Sequence, residues 1–158
     1  MEAWPFSIPR RTERSMKHIT CVFHLAVEPD HLGELRTLIN EIVEDVRQET
    51  STLVYGYSAN ATHESEVHIV ELYQTDAVLP HINETFSPYT ERFLGLAQIK
   101  KLYAYGETTA DIRNKLDDFG AVYLAPLVGI SKYVTNGLSS RRIHSVASRV
   151  VYPATFRR

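Results

Sequence analysis

Residues 66–86 read EVHIVELYQTDAVLPHINETF, and the change of period inside this stretch decides how the chain folds. Glu66 to Tyr73 reads as a strand, with His68 sharing one face with Val70 and Leu72. A few residues later Thr75 or Asp76 is placed to cap a helix through about His81 or Asn83, with Pro80 awkward inside it. Glu71, Tyr73 and His81 therefore fall where a strand hands over to a helix. Such a junction fixes each group on a scaffold while leaving its polar end accessible.

The flanking segments extend the pattern. Ile19 to Val27 alternates, with Ile19, Cys21, Phe23, Leu25 and Val27 on one face and the fairly apolar set Thr20, Val22, His24 and Ala26 on the other. From Pro29 to about Gln48, Leu32, Leu35, Ile39, Ile42, Val43 and Val46 recur at steps of three and four, which predicts a helix. Thr52 to Ala59 (TLVYGYSA) reads as a strand that forms a hairpin with Glu66–Tyr73 across the polar connection 60–65. Pro88 to Leu96 is a second helical piece, and Ile99 to Tyr105 (IKKLYAY) is a fourth strand ended by Gly106.

The order strand, helix, strand, strand, helix, strand is the βαββαβ, ferredoxin-like α+β plan. Helices cover one face of such a sheet, yet strands one and three carry apolar residues on both faces. The economical partner for the second face is another copy of the chain, giving a homodimer with sheets packed face to face. After Gly106, TTADIRNKLDDFG predicts a helix capped by Thr108 or Thr109. A strand-like run from Val122 to Tyr133 follows and is available for exchange between subunits.

Length and composition set bounds on function. At 158 residues, 44% apolar and 23% charged, the chain is expected to form one soluble domain without help from disulfides or a structural metal. We read residues 1–16 as an irregular leader containing Pro5 and Pro9, with Met16 a candidate alternative start. The domain runs 17–134, as a core of 17–106 with an extension of 107–134, and 135–158 is a basic tail. No apolar run is long enough to span a bilayer, and no signal sequence opens the chain, so a cytoplasmic protein is expected. The single cysteine, Cys21, excludes an internal disulfide and a Cys-based zinc site, and reads as a buried spectator thiol.

Charge is unevenly spread. The net charge is -2, but residues 1–18 carry +2 and residues 137–158 carry +5, which leaves -9 on the body between them. The tail arginines lack interleaved aromatics and any recognised motif, so no nucleic-acid partner is expected, and docking on an acidic body is the simpler reading.

A strand ending Glu71-x-Tyr73, followed by a helix with Ala77 and His81 inside this element order, resembles the antibiotic-biosynthesis monooxygenase superfamily, including quinol monooxygenase-like proteins. The resemblance covers about residues 17–106. It implies a dimeric α+β barrel with a pocket between sheet and helices. The implied activity uses dioxygen on a hydroquinone, polyphenol or similar small aromatic metabolite with no flavin, haem or metal cofactor. Glu71, Tyr73 and His81 occupy the matching positions. Where many members carry a second His followed by Phe, this chain reads Thr85-Phe86.

The chemistry can be weighed on its own terms. Oxygenation without a cofactor needs a substrate made electron-rich by deprotonation, hence a base near neutral pH in a dry cavity. His81 suits the base, Glu71 an orienting or hydroxyl-holding role, and Tyr73 the donor to a developing oxyanion. Each also has a plainer reading: His81 on a helix surface or hydrogen-bonded to a neighbour, Glu71 in a structural ion pair or satisfying backbone donors at the strand-helix junction, Tyr73 as a core aromatic with a satisfied hydroxyl. His24, His68, Tyr55, Tyr103 and Phe86 are the candidate substrate-binding set. His24, His68 and His81 lack metal-ligand spacing, and the one tryptophan, Trp4, lies in the leader, which disfavours haem. There is no phosphate loop, no nucleophile elbow and no cysteine nucleophile. The competing reading is a non-catalytic dimeric module that binds a small apolar ligand or a protein.

Overall fold

The computed structural model describes residues 18–127 and Gly129. The expected leader, the Met16 start, the basic tail and the end of the extension lie outside those residues. Strand β1 (His18–Val27) leads through a short 3-10 turn (Pro29–His31) into helix α1 (Leu32–Val46). Strands β2 (Thr52–Ala59) and β3 (Glu66–Gln74) form the expected hairpin. A helical segment containing α2 (Val78–Pro80) and α3 (Thr90–Leu96) leads into β4 (Ala97–Tyr105), then α4 (Ala110–Leu116) and β5 (Ala121–Leu124).

The sheet order is β2-β3-β1-β4-β5, with β1 antiparallel to both β3 and β4 and β5 parallel to β4. This is the α+β, ferredoxin-like arrangement expected from the sequence, widened by one strand. The described part of the run suggested for exchange pairs instead with β4 of its own chain, Leu102 opposite Ala121 and Tyr105 opposite Leu124. Gly106 ends β4 at a φ of 108°, and a Cβ there would meet the His18 carbonyl oxygen at 2.6 Å, so only glycine lets the chain turn so close to β1.

Strand alternation sends Ile19, Cys21, Leu25 and Val27 of β1 toward the helices, where they are buried. They meet two groups of core side chains. Leu35, Leu38, Ile42 and Val46 of α1 pack with Val67, Ile69 and Phe93 over one part of the sheet. Ile112 and Leu116 of α4 pack with Ile19, Tyr73, Val78, Leu102 and Ala104 over the other. Each such aliphatic side chain contributes roughly 1.5–3 kcal/mol by leaving water. Phe23 touches both groups and marks the seam between them.

The opposite face carries no helix among the described residues. Val54, Val70, Tyr105, Val122 and Leu124 are exposed there, consistent with the sequence-based expectation that this face is apolar as well. No helix among the described residues is long and apolar enough to cross a membrane.

Candidate active site

Alternation along β3 places Val67, Ile69, Glu71 and Tyr73 on the helix-covered face, so a carboxyl group is carried into the core by the same register that buries its apolar neighbours. Glu71 is 6% exposed and makes no salt bridge among the described residues.

The chain after β3 is less regular than the sequence suggests. Neither Thr75 nor Asp76 caps it; Gln74 holds the N-cap position without a side-chain bond. A 3-10 turn (Thr75–Ala77) passes through α2 into a π-turn (His81–Thr85), closed by the Phe86 N–H donating to the His81 carbonyl at 2.8 Å. Pro80 supplies no N–H and crowds the carbonyl four residues back, so the regular ladder breaks where it sits. The widened turn has a geometric result. Residues five apart in an α-helix point ~140° away from each other, whereas here the His81 and Phe86 rings lie nearly parallel, 6.2 Å apart with 21° between planes.

His81 is 4% exposed. Its ring packs against Tyr55 and Tyr73 at centroid distances of 5.2 and 5.1 Å. Nδ1 lies 2.9 Å from Glu49 Oε1, and the other Glu49 oxygen accepts a hydrogen bond from the Thr52 hydroxyl. Burial pulls the His81 pKa below its usual value, and the adjacent Glu49 carboxylate opposes that shift without cancelling it. The imidazole is thus neutral near pH 7, the state a general base requires.

Glu71 responds in the opposite sense. Burial raises its pKa to about 8, with the Glu49 charge adding to the rise, while the adjacent Tyr73 hydroxyl tempers it. At neutral pH it is a protonated acid able to donate. Tyr73 is 1% exposed, and its hydroxyl lies beside the Glu71 carboxyl without the alignment of a full hydrogen bond and has no other partner among the described residues. Burial and the Glu71 charge hold that phenol well above its usual pKa. A buried phenol without a partner costs stability unless a ligand satisfies it.

Glu71, Tyr73 and His81 face one cavity at the seam of the two core groups, walled by Cys21, Phe23, Phe86, Phe93, Leu116 and Phe119 among others. Among the described residues no lysine or arginine lines it. The volume open to water-sized molecules is about 40 Å³, room for a few waters and well short of a bicyclic ring. Ile82, Phe86 and Phe119 in its wall are only half-buried.

The structure divides the candidate residues into two sets. Tyr55 and Phe86 join the His81 side, with the Tyr55 hydroxyl bonded to that of Tyr57 at 2.9 Å. His24, His68 and Tyr103 do not line the cavity. They occupy the other face of the sheet, because each sits one step out of phase with the buried residues of its strand. Cys21 is buried as expected, its thiol pKa pushed strongly upward by burial. No group of three or more His, Cys, Asp or Glu among the described residues is arranged to hold a metal. Glu49 is the residue that sequence reading missed, since it lies 32 positions from His81 in an ordinary polar turn.

No protein-family model matches the chain, and no curated protein matches it in sequence. Solved structures do match in fold. MupZ from Pseudomonas fluorescens has a TM-score of 0.66 at 18% identity, over 74% of this chain and 96% of that one. A putative antibiotic biosynthesis monooxygenase from Bacteroides thetaiotaomicron has a TM-score of 0.50 at 24% identity, over 60% and 90%. A variant of SnoaB from Streptomyces nogalater, a cofactor-independent oxygenase, has a TM-score of 0.51 at 9% identity, over 60% and 96%. The resemblance expected from the sequence is therefore present in the fold, which is that of antibiotic-biosynthesis-monooxygenase-type structures.

Proposed function

We propose that this chain is a cofactor-independent monooxygenase, a homodimeric and cytoplasmic enzyme acting on a hydroquinone, polyphenol or similar small aromatic metabolite. The observation that carries the proposal is the convergence of a neutral His81 with two neutral donors, Glu71 and Tyr73, in one aromatic-walled cavity. The fold likeness to a cofactor-independent oxygenase supports it, although fold alone does not fix chemistry.

In this reading His81 takes the acidic proton of the bound substrate, and the electron-rich anion reacts with dioxygen. One oxygen atom enters the substrate and the other leaves as water, all four electrons coming from the substrate itself. Tyr73 and Glu71 donate to the oxyanion that forms, in a site whose apolar walls strengthen those bonds. Entry of an aromatic ring displaces the half-buried wall side chains Ile82, Phe86 and Phe119. Dimerisation covers the apolar face of the sheet that the helices leave open.

The small free volume favours a second reading, a non-catalytic module that binds a small apolar ligand. Oxygen uptake with a panel of hydroquinones separates the two. The enzyme reading expects uptake that His81→Ala lowers by ~100-fold or more, the range of a lost general base. No uptake across the panel, or equal uptake by the variant, sinks it.

A further inference from the structure

We propose that Glu49 is the positioning residue of this site: by accepting a hydrogen bond from the Nδ1–H of His81 it fixes the tautomer, so that Nε2 is the unprotonated nitrogen offered to the cavity. The inference deepens the reading of His81 as a base and rests on it for its catalytic meaning, while its structural content can be tested without any substrate.

The geometry leaves little freedom. Glu49 Oε1 and His81 Nδ1 are 2.9 Å apart. A carboxylate can only accept, so the proton in that bond belongs to Nδ1, and Nε2 of the neutral ring carries none. The carboxylate is itself held, since its second oxygen accepts from Thr52. Thr52 opens β2 and sits opposite Tyr73 in the β2–β3 register, which ties the acceptor to the strand that carries the two donors. On the other sides Tyr55, Tyr73 and Phe86 confine the ring. The imidazole is thereby fixed in position by three rings and in protonation pattern by one carboxylate.

Glu49 acts on more than His81. Its charge also disfavours ionisation of Glu71, so the carboxylate that orients the imidazole, while drawing the His81 pKa upward against burial, helps keep the acid across the same cavity protonated. The titratable groups that face this arrangement are Glu49 from the α1–β2 connection, Tyr55 and Tyr57 from β2, Glu71 and Tyr73 from β3, and Cys21 from β1. None of them is a cation, so nothing among the described residues competes with Nδ1–H for the Glu49 oxygen.

The test uses the full-length protein labelled with nitrogen-15, with His81 signals assigned by their loss in His81→Gln. At neutral pH the native chain is expected to show the Nδ1–H tautomer. Glu49→Gln is expected to lose that preference, because an amide can donate as well as accept, and Thr52→Val is expected to weaken it with little disturbance to folding. Where turnover is found, Glu49→Gln lowers kcat by ~10- to 100-fold with KM little changed, a part of the general-base effect. Loss of the opposing negative charge lets the His81 pKa fall further, so the acid limb of the pH profile moves to lower pH. Glu49→Asp restores part of both. An Nε2–H tautomer in the native chain overturns the proposal, as does an unchanged tautomer in both Glu49→Gln and Thr52→Val. Absence of turnover would count against the enzyme reading alone, since the tautomer is read without substrate.

Discussion

Two histidine sites lie on opposite faces of one sheet. On the helix-covered face, His81 is buried among three aromatic rings with a carboxylate on Nδ1. On the open face, His24 and His68 stand directly across the β1–β3 pair and stack at 3.9 Å with 24° between planes. His68 Nε2 reaches Glu66 at 3.1 Å, but those side chains are 35% and 47% exposed. The His24 pKa is lowered first by desolvation, then by neighbouring His68 and Lys101. Both sites thus pair imidazole with a carboxylate. What separates them is enclosure: water screens the outer pair, while the inner one sits where fixed dipoles and protons keep their full effect. The contrast teaches that ligand type and spacing nominate a site, and the layer covering it decides what it can do.

Substitutions on the two faces are expected to differ in the size of their effects. The largest effect is expected at His81, where removal of the imidazole costs ~100-fold or more in oxygen uptake, against a change within about twofold for His24→Ala or His68→Ala. Comparable losses on both faces would erase the distinction. Second comes the pH dependence of folding. The Glu71 pKa rises from 4.5 unfolded to about 8 folded, so the folded state holds a proton that the unfolded chain releases. Its stabilising contribution is complete below about 4.5 and is lost as pH climbs toward 8, by on the order of a few kcal/mol. Urea unfolding across that window should show a flatter pH profile for Glu71→Gln than for the native chain. An identical profile would mean that Glu71 is ionised in the fold.

A smaller effect with the opposite sign is expected at Tyr73. Deleting a buried hydroxyl that has no well-aligned partner among the described residues should raise stability by about 1 kcal/mol in Tyr73→Phe, while oxygen uptake falls. Destabilisation would show that the hydroxyl is satisfied in solution. The least change at the inner site is expected from the open face. Val70→Glu places a charge on the surface proposed to pair with a second copy, so sedimentation should report the monomer mass while the His81 tautomer stays as in the native chain. A native chain that already sediments as a monomer would remove the dimer from the proposal.

Much of the fold was legible because each period is local. The alternation of β1 and β3 and the three-and-four spacing of α1 are properties of neighbouring residues, and the strands and helices they predict are present within a residue or two at most boundaries. Thr109 caps α4 as expected, its hydroxyl accepting from the Ile112 N–H at 3.3 Å. The segment after β3 was less legible. Pro80 announced a disturbance, but a π-turn is defined by a hydrogen bond to a residue five back, and no residue type encodes that bond. His24 and His68 read from the sequence as second-face residues that either line a shared inter-layer cavity or end in a dimer interface; with Tyr103 they lie on the open face, away from the His81 cavity.

The element order, the α+β plan and the nearness of Glu71, Tyr73 and His81 to one junction can be read from the residues alone, because hydrophobic period and chain proximity act over short distances. Which histidine is enclosed beside a carboxylate depends on packing across the whole fold. Glu49 reaches His81 across 32 residues, and the two become partners when α1 and the turn that ends it fold back over the sheet. Protonation follows from the same packing. The Glu71 pKa is raised and the His81 pKa lowered chiefly by what surrounds them, and burial is a property of the assembled layers that no residue carries alone.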